Sequence, residues 1–412
     1  MSRRIRTGAH FALILLVVFL SLSVVSAQDQ PKPEAVGVRP DAPTYALHGP
    51  YWVGTQTLEM DAGTDNALRF TIWYPALNPD GLEESVTYQM GPNHVLVSIY
   101  GFPPDAPFTV FGHALEGAAP DLSGGPYPLV INSHGFTAQM WQMFLGEHLA
   151  SYGFVVIAPE HIHDSWDNVA TSTIIRMLEV NRVIDDAATM TAPDGLLPGM
   201  INMDKIAVGG HSSGGMTAYG AAGAPVLWTG VQEYCQTAPD DAECTNLEGQ
   251  FQEINQLLGA NAAADELLPV IVDSRVDAIF PMAGTMELHG QAGLAAITIP
   301  MMALFGSADP VADFMSPAYE YVASTQKAQV LFENAGHGIF YPQCDVFPYV
   351  EEFGFYWACS DAVWDLDRAN DLTNHFVTAF LLDVLKGDAD AHAALSPAAV
   401  SFTGITYKAQ GF

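Results

Sequence analysis

The stretch KIAVGGHSSGG, Lys205–Gly215, sets a hydroxyl, Ser212, where an apolar run gives out into glycines and small polar residues. Gly210-His211-Ser212-Ser213-Gly214 has the spacing G-x-S-x-G, with a strand-like run before it and a helical pattern after it, the setting of a nucleophile elbow. Glycine tolerates the strained turn and the close backbone packing that such an elbow needs. A plain Gly-rich turn would use the same residues, so the partners decide. A serine hydroxyl attacks at neutral pH only with a base beside it, and the base needs an acid to orient it. Asp309 in ALFGSADPVAD and His337 in ENAGHGIF each follow an apolar run, and they come after Ser212 in the order Ser, Asp, His. Asp277 opens its run and belongs at the wrong end of a strand, and Asp313 is better placed to cap a helix. Two donors must also hold the oxyanion of a tetrahedral intermediate. The backbone N–H of Ser213 follows from the elbow, and the N–H of Phe136 in SHGFTAQ is the best placed second. Gly135 lets that backbone come close, while His134 reads as a hydrogen-bonding brace for the turn and not as a second base.

These residues need elements that bring them together. YPLVINSHG, GFVVIAPEH, KIAVGGHSS, VDAIFPMAG, IPMMALFGS and AQVLFENAGH are short apolar runs, nearly all ending in Gly, His, Ser or Asp. Uniformly apolar strands belong in a parallel sheet covered on both faces. Helical patterns separate them at about 140–151, 167–190, 213–222, 316–325 and 367–386. The expected class is therefore α/β, a doubly wound, mostly parallel sheet with helices on both faces. TQTLEM and LRFTIWYPA alternate as an antiparallel pair at a sheet edge would. In such sheets the working residues gather beyond the carboxyl ends of the strands, where this chain puts Ser212, Asp309 and His337. Residues 28–48, rich in Pro, Ala and Gln, read as a flexible lead-in, and 49–412 as a catalytic domain. An insertion at about 225–268 breaks the rhythm. It is lid-like if it lies at the mouth of the site and a surface excursion if it does not.

Arg3, Arg4 and Arg6 precede an apolar run from Phe11 to Val25, and Val25-Ser26-Ala27 offers small residues for cleavage before Gln28. Residues 1–27 thus read as a signal peptide and the mature chain as secreted or periplasmic. The competing reading, an uncleaved anchor, is disfavoured because the run is shorter than the ~20 residues of a membrane span. The formal charge of −32 falls by the leader's three arginines to −35. Such a surface repels nucleic acid and anionic headgroups, so neither is an expected partner, and a monomer is expected. Cys235, Cys244, Cys344 and Cys359 can pair in three ways. Cys235–Cys244 and Cys344–Cys359 are favoured because each closes a short local loop in an exported chain. No C-x-x-C or H-x-x-x-H spacing accompanies them, so no metal is expected.

SHGFTAQ, HLASYGFVVIAPEH, GHSSGG, GSADPVAD and AGHGIF together resemble the α/β-hydrolase branch of dienelactone-hydrolase-like esterases, platelet-activating-factor acetylhydrolase-like proteins and cutinase-type polyester hydrolases. The likeness runs from about Gly49 to Lys386, with the insertion outside it. It implies a serine hydrolase of carboxylic esters that needs no cofactor. Animal-type acetylhydrolases take their acid from the end of the strand after the elbow helix, and here that place reads Phe280-Pro281-Met282. Asp309 fits the cutinase-type pattern better, as does Gly135-Phe136-Thr137-Ala138, but those enzymes carry a tryptophan near Thr285 and this chain does not. Soluble esters of small or medium size are the leading substrates. Polyesters and phospholipid acetyl esters are alternatives, and a catalytically dead fold used for binding is the rival from another class.

Overall fold

A computed structural model of the chain describes residues 30–89, 109–136, 142–161, 163–164, 168–240, 244–269, 273–354 and 356–412. The signal peptide read in 1–27, and Thr137 and Ala138 of the oxyanion loop, lie outside them. The six apolar runs are six strands: β6 (Tyr127–Ser133), β7 (Val155–Pro159), β8 (Ile201–His211), β9 (Val276–Met282), β10 (Met301–Gly306) and β11 (Lys327–Phe332), numbered after five earlier strands. Those earlier strands are β1 (Trp52–Met60), β2 (Leu68–Ala76), β3 (Val86–Gln89), β4 (Thr109–Gly112) and β5 (Leu115–Glu116), and β12 (Ile405–Gln410) closes the chain. A ten-stranded sheet runs β12-β11-β10-β9-β8-β6-β7-β2-β1-β5, and β3 pairs with β4 apart from it. From β7 to β11 every neighbouring pair is parallel. β2 is antiparallel to β7 and to β1, and β12 is antiparallel to β11.

Alternation along each central strand feeds two cores. Leu129, Ile131, Ile157, Val208 and Ile279 face Val180, Val183 and Ile184 of α2 (Val169–Met190) and Ala218 and Tyr219 of α3 (Ser213–Ala221). Val130, Val156, Phe280, Leu304 and Val330 face the other way, toward Leu145 and Leu149 of α1 (Met143–Ser151) and Phe376, Phe380 and Leu381 of a long C-terminal helix, Leu366–Lys386. This two-sided burial is why the middles of the central strands are mostly apolar. The insertion forms α4 (Trp228–Thr237) and α5 (Leu247–Leu257), whose Trp228, Val231 and Ile254 pack on Ala170, Ile174 and Met177 of α2 and Met216 of α3.

Three expectations need correction. The lead-in is docked: the Asp371 carboxylate on the C-terminal helix accepts the N–H groups of Val38 and Arg39 at 2.9 Å each, and His375 Nδ1 accepts that of Tyr45 at 3.2 Å. The helix expected at 316–325 is the single turn Ala318–Tyr321, because Val322 returns to extended backbone. The edge beyond β1 is taken by the two-residue β5, and β12 adds an edge strand whose burial alternates along its length.

Candidate active site

Ser212 sits between β8 and α3 with φ 57° and ψ −120°, a backbone conformation costly for any residue but glycine. Its N–H is tied to the Met282 carbonyl at 2.8 Å. The flanking glycines have one physical reason between them. A Cβ on Gly210 or on Gly214 would fall 1.9 Å from the same atom, the Ser133 carbonyl oxygen at the end of β6. Gly215 is equally constrained, since its Cβ would come within 2.6 Å of the Gly284 Cα. Ser213 opens α3, and the first N–H groups of a helix have no intrahelical acceptor. The Ser212 carbonyl is reached first by Gly215 at 2.8 Å and Met216 at 3.1 Å.

Asp309 and His337 meet beyond the ends of β10 and β11. The imidazole Nδ1–H donates to Asp309 Oδ2 at 2.6 Å, and Asp309 Oδ1 accepts the Val311 N–H at 3.1 Å. The carboxylate is wholly buried, while a third of the imidazole is exposed (33%) and can meet a substrate. The two loops are laced together: Ala308 N–H reaches the Ala335 carbonyl at 2.9 Å and Asn334 N–H reaches Ser307 Oγ at 2.8 Å. Gly336 N–H is held by Asp361 Oδ2 at 2.9 Å. On the elbow side, His211 Nε2–H donates to the His337 carbonyl at 3.0 Å, and the two rings lie 4.7 Å apart. Burial first, then the neighbouring His337, keeps His211 well below the ordinary histidine range and so neutral. His211, the residue before Ser212, is thereby joined to His337. Both rival acids stand elsewhere: Asp277 accepts the Ile206 N–H at the start of β9, and Asp313 is exposed in a 3₁₀ turn.

Behind the loop that carries Gly135 and Phe136 is a buried polar network. His134 Nε2 accepts the His161 N–H at 3.0 Å, so the proton is on Nδ1, which donates to the Gly135 carbonyl at 2.6 Å. With both nitrogens engaged and burial driving its pKa well down, His134 braces the turn. Arg176 of α2, 1% exposed, sends Nη1–H to the His134 carbonyl at 2.5 Å and Nη2–H to that of Gly135 at 3.3 Å. Asp164 pairs with its other edge through Nε at 2.8 Å and Nη2 at 2.5 Å. Burial pushes Asp164 up, but the charge and hydrogen bonds of Arg176 outweigh it and hold the carboxyl below its ordinary value. His161 in turn bridges Ser133 Oγ at 2.9 Å and Glu179 Oε2 at 2.6 Å. Sequence reading missed Arg176, Asp164, Glu179 and the part played by His211. The available signal was a lone arginine among apolar residues, in STIIRMLEV, in a chain with only 14 basic residues.

The Chlorophyllase family model matches residues 108–225, a segment that holds the oxyanion loop, β8 and the elbow but stops before Asp309 and His337. Among solved structures, a ferulic acid esterase from Streptomyces cinnamoneus is similar over 86% of this chain and 95% of its own, with TM-score 0.52 and 19% identity. The chain has the α/β-hydrolase fold. No curated protein matches the chain. On this fold the cysteines pair as Cys235–Cys244 and Cys344–Cys359, the two local loops expected. No helix among the described residues is long and apolar enough to cross a membrane.

Proposed function

We propose that this α/β-hydrolase is an exported serine hydrolase of carboxylic esters, acting on soluble esters of small or medium size. The Asp309–His337 pair at 2.6 Å, joined through His211 to the strained Ser212 turn, carries the reading. The Chlorophyllase match and the likeness to a ferulic acid esterase support the ester bond as the target. Ser212 Oγ attacks the acyl carbon while His337 Nε2 takes its proton, and Asp309 holds the imidazole in that tautomer and stabilises the cation formed. The N–H groups of Phe136 and Ser213 take the oxyanion, in a place where preorganised donors need not reorient as charge develops. Collapse expels the alcohol with the proton from His337. Water then repeats the sequence on the acyl-enzyme and releases the acid.

The test is fluorophosphonate labelling followed by peptide mass mapping, alongside p-nitrophenyl esters of increasing length and a polyester film. A single adduct on Ser212, fastest turnover on short and medium soluble esters, and loss of both in Ser212→Ala are the expected results. An adduct elsewhere, or Ser212→Ala activity within tenfold of the parent, overturns the assignment, since loss of a triad member costs several orders of magnitude. Preference for the film would move the substrate to polyesters.

A further inference from the structure

We propose that Arg176 is a positioning residue that aims the Phe136 N–H at the oxyanion, an inference that rests on the esterase reading above. In a trans peptide the C=O and N–H point to opposite sides. The peptide that carries the Phe136 N–H is the one whose oxygen belongs to Gly135, and the Gly135–Phe136 bond is not among the cis bonds of the chain. That oxygen is gripped from behind by two donors, His134 Nδ1 at 2.6 Å and Arg176 Nη2 at 3.3 Å. With the oxygen drawn toward α2, the Phe136 N–H is turned away from α2. The preceding carbonyl, of His134, is held by Arg176 Nη1 at 2.5 Å, so a single planar guanidinium fixes two successive peptides. The same loop presses on the elbow: the Ser133 oxygen lies 1.9 Å, and the His134 oxygen 3.0 Å, from where a Cβ on Gly214 would stand. An orienting force applied at Gly135 is therefore applied beside Ser212.

A buried charge is a costly way to fill space. An arginine removed from water must be paired and hydrogen-bonded, and an apolar side chain of similar volume often serves stability as well or better. Asp164 supplies the pairing through two of the five N–H groups, and two more go to carbonyls of the loop. Holding those carbonyls is what distinguishes Arg176 from packing.

The measurement compares the full-length parent with Arg176→Met and Arg176→Lys. Each is assayed for kcat and KM on p-nitrophenyl acetate, for affinity toward a trifluoromethyl ketone that Ser212 converts to an oxyanion adduct, and for thermal unfolding. A misaimed oxyanion donor should cost Arg176→Met about 100-fold in kcat, in the range found when such a donor is deleted. KM should stay within about threefold, and ketone affinity should fall in step with kcat. Arg176→Lys, with a point charge that reaches one carbonyl, should fall between the two. Arg176→Met that folds and keeps kcat within threefold overturns the proposal. So does a kcat loss with ketone affinity unchanged, and so does failure of both variants to fold, which would make Arg176 a residue of the core. A parent that neither hydrolyses the ester nor takes the fluorophosphonate overturns the esterase reading and this one with it. An active parent with indifferent Arg176 variants overturns this one alone.

Discussion

The Asp309 carboxylate has no water around it and two bonds to make, one to His337 Nδ1 and one to the Val311 N–H. An amide in its place would keep the size but offer His337 either the wrong tautomer or no countercharge. Asp309→Asn should lower kcat by roughly 10⁴. Asp277→Asn, which alters only the bond to the Ile206 N–H at the far end of β9, should leave kcat within a few-fold. Steady-state rates on one ester decide it, and the opposite ranking would require a different acid. The meeting of Asp309 with His337 and the strained turn at Ser212 were legible in the sequence because each residue follows an apolar run, and the carboxyl ends of parallel strands converge on one place. Arg176 was not legible in the same way, because its partners are the carbonyls of His134 and Gly135, and every residue type carries a carbonyl.

The two disulfide loops sit on different elements and should behave differently when opened. The Cys344–Cys359 loop ends two residues before Asp361, whose carboxylate holds the Gly336 N–H beside His337 and caps Val363 and Trp364. Removing a bridge of this loop length frees the unfolded chain by about 3 kcal/mol. Cys344→Ser should therefore lower Tm by several degrees, as read by calorimetry. Cys235 belongs to α4, where the neighbouring Tyr234 meets Phe314 of the Asp309 loop edge-on at 4.8 Å. Beyond Cys244, Gln250 donates to the Thr245 carbonyl and accepts the N–H groups of Ala170 and Thr171 at the start of α2. The insertion is thus seated both on the loop of the acid and on the helix that carries Arg176. Cys235→Ser should shift the ratio of rates on long and short esters and leave Tm little changed, and an unaltered ratio would remove the lid from the picture. The central strands and helices were legible because their pattern is set by burial on two faces. The docked lead-in was not, since it is held by polar bonds to Asp371 and His375 that leave no hydrophobic period to read.

Over the whole molecule, buried histidines and buried carboxylates pull stability in opposite directions as pH changes. His134, His148, His211, His289 and His375 are all pushed below their ordinary value, chiefly by burial, with His148 at about 3 and His289 and His375 at about 4. Each stays neutral in the fold while its unfolded counterpart takes a proton below about pH 6.5, so each contributes stability that is lost as pH falls through that value. Glu147, raised by burial to about 7, and Asp371, raised by burial to about 6, work the other way, as do Glu160, Asp186 and Asp367, raised by burial to a smaller extent, because the fold keeps protons that the unfolded chain has released. His161 and Glu179, bonded to each other, share one proton folded and hold one between them unfolded in this range, so they cancel. The histidine shifts are the larger, so unfolding near pH 5.5 should take up protons on balance and stability should fall as pH falls. Urea unfolding followed from pH 7 to 5 should show that loss, and a flat or rising profile would contradict it. The scarcity of basic residues has a practical side as well. Lys327 is buried against the Val322 carbonyl, and Lys386 is bonded to the carbonyls of Tyr152 and Gly153. That leaves Lys32, Lys205 and Lys408 as the accessible lysine amines of the described residues. Lys205 lies in the first half of β8, Lys32 is next to Pro31, whose carbonyl meets Trp52 at the start of β1, and Lys408 is on the outermost strand. A solid support that couples through amines would grip the back and one side of the molecule and leave the mouth of the site turned toward the solution.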